Sequence, residues 1–394
     1  MAENEKGNQA QGGLKYGSRA NNINLLRFIA ASVVIYFHMD ILLGKSGYAI
    51  MGQGLGAIAV NVFFVLSGYL IASSWTHSSG FLSYLIRRAA RIFPALIVVV
   101  LATVFVIGPL FTSLSMGEYF TSAETWEYLE SILLSSTKSL PGVFEAVPYP
   151  RAVNGSLWTL RYEFAMYLLV PVAYFVIGRF GRARKGVALG LFAVLAVGYC
   201  LVSGFGIAVP DICAKGLRLA SYFFAGCIVY EFDLAKHLDV QYSVLAVLFM
   251  LIFAREGSPL CVPLMLVATT VFVFGFALAP RPRFAKCFSK NDFSYGIYIW
   301  AFPVQQILVQ LGGGLLRIPL WPTRSSHSRS RLPFRWARGS SSKSPAWIWA
   351  SGSLSGFEGR HLALNPCCVL KGVQCQNEKL YRWLSLRSTA RARC

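Results

Sequence analysis

Acidic residues are scarce in this sequence. Seventeen Asp and Glu stand against 37 Lys and Arg in 394 residues, and only 14% of the chain is charged. A soluble globular domain carries about a quarter, so there is too little charge here to cover a water-facing surface. Metal-binding spacing is missing as well. The nine cysteines include no C-x-x-C pair, which excludes zinc-ribbon and thioredoxin-like patterns. Cys200, Cys213, Cys227, Cys261 and Cys287 fall in or beside apolar runs and read as small buried hydrophobes. Cys367, Cys368, Cys375 and Cys394 lie near the C-terminus. No internal repeat of about 20–50 residues is visible. No face interleaves aromatic and basic residues, so the net charge of +20 does not imply nucleic acid. The first apolar run lacks a preceding A-x-A cleavage site, so its helix is expected to stay uncleaved.

What the chain has in abundance is apolar length. Hydrophobic residues make up 55% of it, and mean hydropathy is +0.52. A spanning helix needs ~20 mostly apolar residues. Such runs occur near 24–44, 55–74, 92–112, 157–178, 186–204, 213–231, 241–255, 260–279 and 293–316. The expected fold is therefore all-α: a polytopic transmembrane bundle of about nine spans. Positive charge fixes its orientation. Lys6, Lys15 and Arg19 precede the first span. Arg87, Arg88 and Arg91 lie between the second and third, Arg179 to Lys185 follow the fourth, and Arg281 to Lys290 follow the eighth. These segments are expected in the cytoplasm, with the N-terminus. The acidic 113–156 connection is expected outside. Within it Tyr119, Phe120, Trp126, Leu129 and Leu133 recur at helical spacing and predict an amphipathic surface helix over 118–136.

Three regions follow: a cytoplasmic N-terminal segment 1–22, a membrane domain 23–316, and an atypical tail 317–394. The tail is rich in Arg, Ser and Trp and holds no apolar run. Such composition does not build a core and is expected to be disordered. The abrupt change is read as an aberrant reading frame.

Several polar groups interrupt the apolar runs, and each admits a plain reading beside a functional one. His38, followed by Asp40, is a proton-handling group in the first span or an interfacial hydrogen-bonding residue. Arg27 reads as a snorkelling anchor. Ser67 and Gly68, with Asn61 upstream, suit close helix packing. Arg87, Arg88 and Arg91 orient the loop, or form a compact polycation for a polyphosphate. Asn154 or Ser156 can cap the fourth span. Glu163, about two turns in, pairs with Arg161 or serves a wet cavity. Tyr295, Tyr298 and Trp300 suit an interfacial belt, with Pro303 as a kink.

In this order the motifs resemble the acyltransferase-3 family of bacterial membrane O-acyltransferases, which includes O-antigen and nodulation-factor acetylases. The motifs are Leu25-Leu-Arg-Phe-Ile-Ala-Ala31 with His38; Phe63-Phe-Val-Leu-Ser-Gly-Tyr69; Arg87-Arg-Ala-Ala-Arg-Ile-Phe-Pro94; Asn154-Gly-Ser-Leu-Trp-Thr-Leu160 with Glu163; and Ser294-Tyr-Gly-Ile-Tyr-Ile-Trp300. The resemblance implies transfer of an acyl group, usually acetyl, from cytoplasmic acyl-coenzyme A to a hydroxyl of an extracytoplasmic carbohydrate or lipid-linked glycan. It implies a multi-pass protein of the bacterial inner membrane with no tightly bound cofactor, no metal and no nucleic acid partner. His38 and Glu163 would be catalytic, with His38 the base or acyl relay. Arg87, Arg88 and Arg91 would hold the donor phosphates. Asn154, Ser156 and Trp158 would shape the acceptor side. Two departures stand out: Ala301 replaces a histidine common in the last motif, and the tail stands where the family has a tenth span. A proton-coupled transporter using His38 and Glu163, or an inactive truncated member, are the alternative readings.

Overall fold

The computed structural model describes residues 22–135, 139–278 and 293–312. The expected N-terminal segment before Asn22, the basic loop at 281–290 and the tail at 317–394 lie outside the described residues.

The described residues are mainly helices joined by loops, with one short two-stranded hairpin. In order come α1 (Ile23–Leu42), β1 (Ala49–Ile50), β2 (Gln53–Gly54), α2 (Leu55–Thr76) and α3 (Phe81–Ala102). Two short helices, α4 (Met116–Thr121) and α5 (Ala123–Glu127), fill the long connection. Then follow α6 (Leu160–Gly178), α7 (Arg184–Gly204), α8 (Asp211–Glu231), α9 (Val240–Phe253), α10 (Cys261–Ala277) and α11 (Ser294–Gly312). Among the described residues six helices are long and apolar enough to cross a bilayer, while α9 and α10 are shorter apolar helices. The expected nine apolar runs therefore all form helices, but they are unequal in length.

Two ends of the bundle are defined by contacts. At the first end the Asn22 amide donates to the Ala277 carbonyl at 2.8 Å, and Arg184 pairs with Glu231 at 2.8 Å. At the far end Gln306 on α11 donates to the carbonyls of Tyr149 and Ala152 at 3.0 and 2.7 Å.

Helix α2 is central and packs on α1, α6, α8 and α10. Its crossing with α8 is a backbone contact. A Cβ at Gly68 would stand 1.8 Å from the Phe223 carbonyl oxygen, and one at Gly226 would stand 2.1 Å from that of Val65. Small residues are what lets membrane helices approach this closely. At the periphery, α9 buries only Ser243. Val244, Leu245, Leu248, Phe249 and Ile252 stay exposed on it, as an apolar surface facing lipid requires.

The third span begins earlier than the apolar run. Helix α3 starts at Phe81, not near Ile92, and runs without a break through a widened turn at Thr103–Ile107 to Phe111, 31 residues in all. Helix formation needs no apolarity, so Arg87, Arg88 and Arg91 are part of the helix itself. The Tyr119 hydroxyl donates to the Val104 carbonyl in the widened turn at 2.9 Å.

The single amphipathic helix expected over 118–136 is instead broken in three. Ser115 caps α4 with a reciprocal Glu118 box, and those hydrogen bonds hold the Glu118 carboxyl below its usual range. Ser122 is extended between α4 and α5, and a 3₁₀ turn follows at Tyr128–Leu133. Tyr119 and Tyr128 are fully buried, whereas Trp126 and Leu133 are exposed. Burial pushes the Tyr119 phenol up to about 12, which keeps it protonated for its bond to Val104. Packing of these tyrosines against α3 overrides the helical period.

Candidate functional site

A cavity of about 40 Å³ with a mixed apolar and polar wall lies among helices α1, α2, α6 and α11. That is room for a few waters. Arg27, Ser67, Thr159, Glu163, Ser294, Tyr295 and Tyr298 contribute its polar lining, from α1, α2, α11 and the start of α6. Glu163 accepts hydrogen bonds from the Tyr167 hydroxyl and, at 3.3 Å, from the Ser67 hydroxyl. Thr159 and Tyr298 share a hydroxyl contact at 3.0 Å. The expected partner of Glu163, Arg161, is elsewhere: its guanidinium lies 5.1 Å from the Tyr162 ring centroid.

Arg27 is not a surface anchor. It is 8% exposed, its Nε donates to the Ser294 hydroxyl at 3.2 Å, and it lies 5.9 Å from the centre of the Phe63 ring. An arginine and a carboxylate lining one cavity in a bundle this apolar need a reason, and polar groups at such depth are a functional hypothesis by default. Tyr295 and Tyr298 likewise face this cavity rather than forming an interfacial belt. Tyr298 is buried, and Tyr295 donates to the Ile92 carbonyl at 2.9 Å.

Toward the far end a second polar group of residues surrounds His38. The imidazole packs edge-on against Phe302, with centroids 5.1 Å apart. Asp40 turns instead to Lys45 at 3.9 Å. Phe37, the residue before His38, is clasped by the hairpin: Gly47, Gly54 and Gly56 press against its ring. Phe302 in turn lies against Gly155, which joins His38 to the Asn154–Trp158 motif.

Asn154 and Ser156 do not cap the fourth span. The motif enters α6 through a 3₁₀ turn at Leu157–Thr159, with no side-chain cap. Asn154 Oδ1 accepts from the Ser156 amide at 3.1 Å, and Nδ2 donates to the Ile299 carbonyl at 2.9 Å. It therefore ties this loop to α11. Asn154→Ala is expected to lower stability by about 1–3 kcal/mol by leaving that buried carbonyl unpaired, read as a fall in the melting temperature of the purified protein in detergent. Trp158 packs against Tyr162 at 5.8 Å.

Sequence reasoning passed over Gln305 and Gln306. Gln305 Nε2 donates to the Ile35 carbonyl at 2.7 Å, one turn before His38. Both glutamines are buried. His38 Nδ1, Ser156 Oγ, Gln305 Oε1 and Gln306 Oε1 are buried without a hydrogen-bond partner among the described residues. Four such atoms in one neighbourhood suit a polar ligand or water. The available signal was two adjacent amides inside an apolar run.

The arginines divide. Arg87 is exposed and donates to Ser83 at 2.6 Å and to Ser78. Arg88 and Arg91 are half-buried. Arg91 lies within electrostatic reach of Tyr167 and of Tyr295, which lines the cavity. Arg88 Nε is buried without a hydrogen-bond partner. No group of three His, Cys, Asp or Glu among the described residues could hold a metal.

A family model described as an acyltransferase domain matches residues 20–325. The O-acetyl transferase of Shigella phage Sf6 is 28% identical over 306 residues, covering 74% of this chain and 86% of that protein. Nodulation protein 10 of Rhizobium leguminosarum bv. viciae is 26% identical, covering 74% and 84%. The peptidoglycan O-acetyltransferase OatA of Listeria monocytogenes is 24% identical over 72% of this chain but only 49% of its own length. No solved structure matches the chain.

Proposed function

The chain belongs to the acyltransferase family that this domain defines, and we propose that it moves an acetyl group from cytoplasmic acyl-coenzyme A to a carbohydrate hydroxyl across the membrane. The membrane is the bacterial inner membrane, the N-terminus is cytoplasmic, and the acceptor is a free or lipid-linked glycan. The observation that supports this reading is a set of polar groups at three levels of an apolar bundle: Arg88 and Arg91 toward the first end, the cavity lined by Arg27 and Glu163, and His38 with Asn154 and Ser156 toward the far end.

The chemistry assigns work to each part. The arginines hold the donor's phosphates by charge-assisted hydrogen bonds. Glu163, Arg27 and the hydroxyls around them line the path of the thioester end. His38 takes the proton of the attacking hydroxyl, as neutral imidazole does well near neutral pH. The ester C–O bond forms, the thioester C–S bond breaks, and the leaving thiolate recovers a proton. Ser156, Gln305 and Gln306 offer the acceptor hydrogen bonds, and Trp158 an apolar wall.

Titration of the full-length protein with acetyl-coenzyme A tests the donor side. The double variant Arg88→Ala with Arg91→Ala is expected to bind at least about tenfold more weakly, from the loss of hydrogen bonds to charged groups. Arg87→Ala is expected to change affinity little, because its side chain is already engaged at the surface. Unchanged affinity in the double variant would return the cluster to a purely topological role. Labelled acetate appearing in a glycan fraction tests transfer itself.

A further inference from the structure

One face of α8 carries a polar stripe that the acetyl-transfer chemistry above does not use. Asp211, Lys215, Arg218 and Tyr222 recur at i, i+4, i+7 and i+11, which lines them along one side of the helix. Burial deepens along it. The Asp211 side chain is 69% exposed and that of Lys215 19%, Arg218 is half-buried, and Tyr222 is fully buried. The stripe therefore descends from the far end of the bundle toward its middle.

Its surroundings are aromatic and polar. Lys215 lies 5.6 Å from the Trp158 ring centroid, and the Tyr162 hydroxyl donates to the Ile212 carbonyl at 3.1 Å. The Arg161 guanidinium lies 5.1 Å from the Tyr162 ring centroid. Deeper, Arg218 acts electrostatically on Tyr199 and Tyr222. Gln53 Nε2 donates to the Tyr199 hydroxyl at 3.0 Å, and Asn61 Nδ2 to Gln53 Oε1 at 3.3 Å. The stripe ends at the buried Tyr222, whose hydroxyl lies within reach of Tyr199 and Thr269, and at Asn61 Oδ1, which is buried without a hydrogen-bond partner among the described residues. Tyr222 and Asn61 are 0% and 1% exposed.

Charge along the stripe is unbalanced. Asp211 pairs with Lys215, while Arg161 and Arg218 form no ion pair with a carboxylate among the described residues. Arg161 Nε is buried without a hydrogen-bond partner. Two partly exposed arginines lacking a carboxylate counter-charge in a bundle this apolar suit an anionic ligand.

We propose that this stripe is the acceptor subsite for a negatively charged carbohydrate. The anionic group, a phosphate ester or a uronic carboxylate, lies between Arg161 and Arg218, and the sugar ring packs against Trp158 and Tyr162. The guanidinium fork matches either oxyanion. Naming the ligand an acceptor rests on the acetyl-transfer reading. The site adjoins that chemistry, because Thr159, next to Trp158, lines the central cavity.

Equilibrium binding to the full-length protein in nanodiscs, with no acyl donor present, tests the subsite. The probes are glucose 1-phosphate, glucuronic acid, methyl glucoside and inorganic phosphate. The wild type is expected to bind at least one charged sugar about tenfold more tightly than methyl glucoside. Which one gains identifies the anion. Arg161→Gln and Arg218→Gln are expected to remove the difference and leave methyl glucoside unchanged, and Arg218→Lys to keep most of it. Equal binding of the three sugars, inorganic phosphate binding as tightly as the charged sugar, or equal loss for methyl glucoside in the variants would overturn the proposal. A preparation that discriminates charge yet transfers no acetyl counts against the acetyl-transfer reading alone.

Discussion

Replacing His38 with alanine is expected to lower glycan acetylation by about 10²–10⁴-fold, the usual contribution of a positioned general base, and to leave the fold intact. The two halves of that expectation have separate grounds. Folding should survive because His38 Nδ1 makes no hydrogen bond among the described residues, so truncation breaks no polar contact there. The edge-on contact with Phe302 that is lost is an ordinary packing loss. Catalysis should fail because no other described imidazole lies near the Asn154 motif: His77 is exposed at the first end beside Ser73, and His237 follows the turn after α8. Acetate per glycan, by mass spectrometry, reads the first effect, and elution of the detergent-solubilised protein reads the second. Transfer within tenfold of wild type would remove His38 from the reaction.

Alanine at Gly68 should prevent assembly of the bundle. A Cβ there would stand 1.8 Å from the Phe223 carbonyl oxygen and 2.7 Å from its carbon. Both atoms are backbone, so no rotamer change relieves the clash and the two helices must separate. Gly226→Ala meets the reciprocal problem against Val65. The loss is expected to exceed the ~1–3 kcal/mol of ordinary overpacking, because α2 and α8 form the centre of the packing. Recovery of monodisperse protein from membranes and its melting temperature are the measurements. Gly190→Ala is the matched control: nothing lies within 4 Å of that position. Wild-type stability of Gly68→Ala would mean that the α2–α8 crossing is not a backbone contact.

Much of this architecture is legible in the sequence because a bilayer leaves little choice. Backbone groups in hydrocarbon must be paired within helices, so every long apolar run became one. The site was legible in part: Glu163 and Asn154 stand out as polar residues in apolar company; Asn154 is buried, and Glu163 is half-buried on the cavity wall. What the sequence could not express is partnership across the chain. Arg27, one turn into α1, looks identical whether it snorkels or bonds Ser294, 267 residues away. Asn154 looks like a helix cap until Ile299 takes its amide. The start of α3 was misplaced for a different reason. Apolarity marks where lipid begins, whereas the helix continues past that boundary to Phe81.

That continuity turns α3 into a depth gauge. Thirty-one helical residues measure about 46 Å at 1.5 Å each, against a hydrocarbon thickness of ~30 Å. Tilt alone would have to approach about 50°, beyond the ~40° that spanning helices reach, so part of the rod stands clear of the hydrocarbon. Arg91 is ten residues from Phe81, about 15 Å along the axis. With the far end of the rod seated at the opposite boundary, the arginines fall at the level of the lipid phosphates. In the acetyl-transfer reading, the donor's phosphates would stay among those headgroups, and only its uncharged acyl end would have to enter the protein interior.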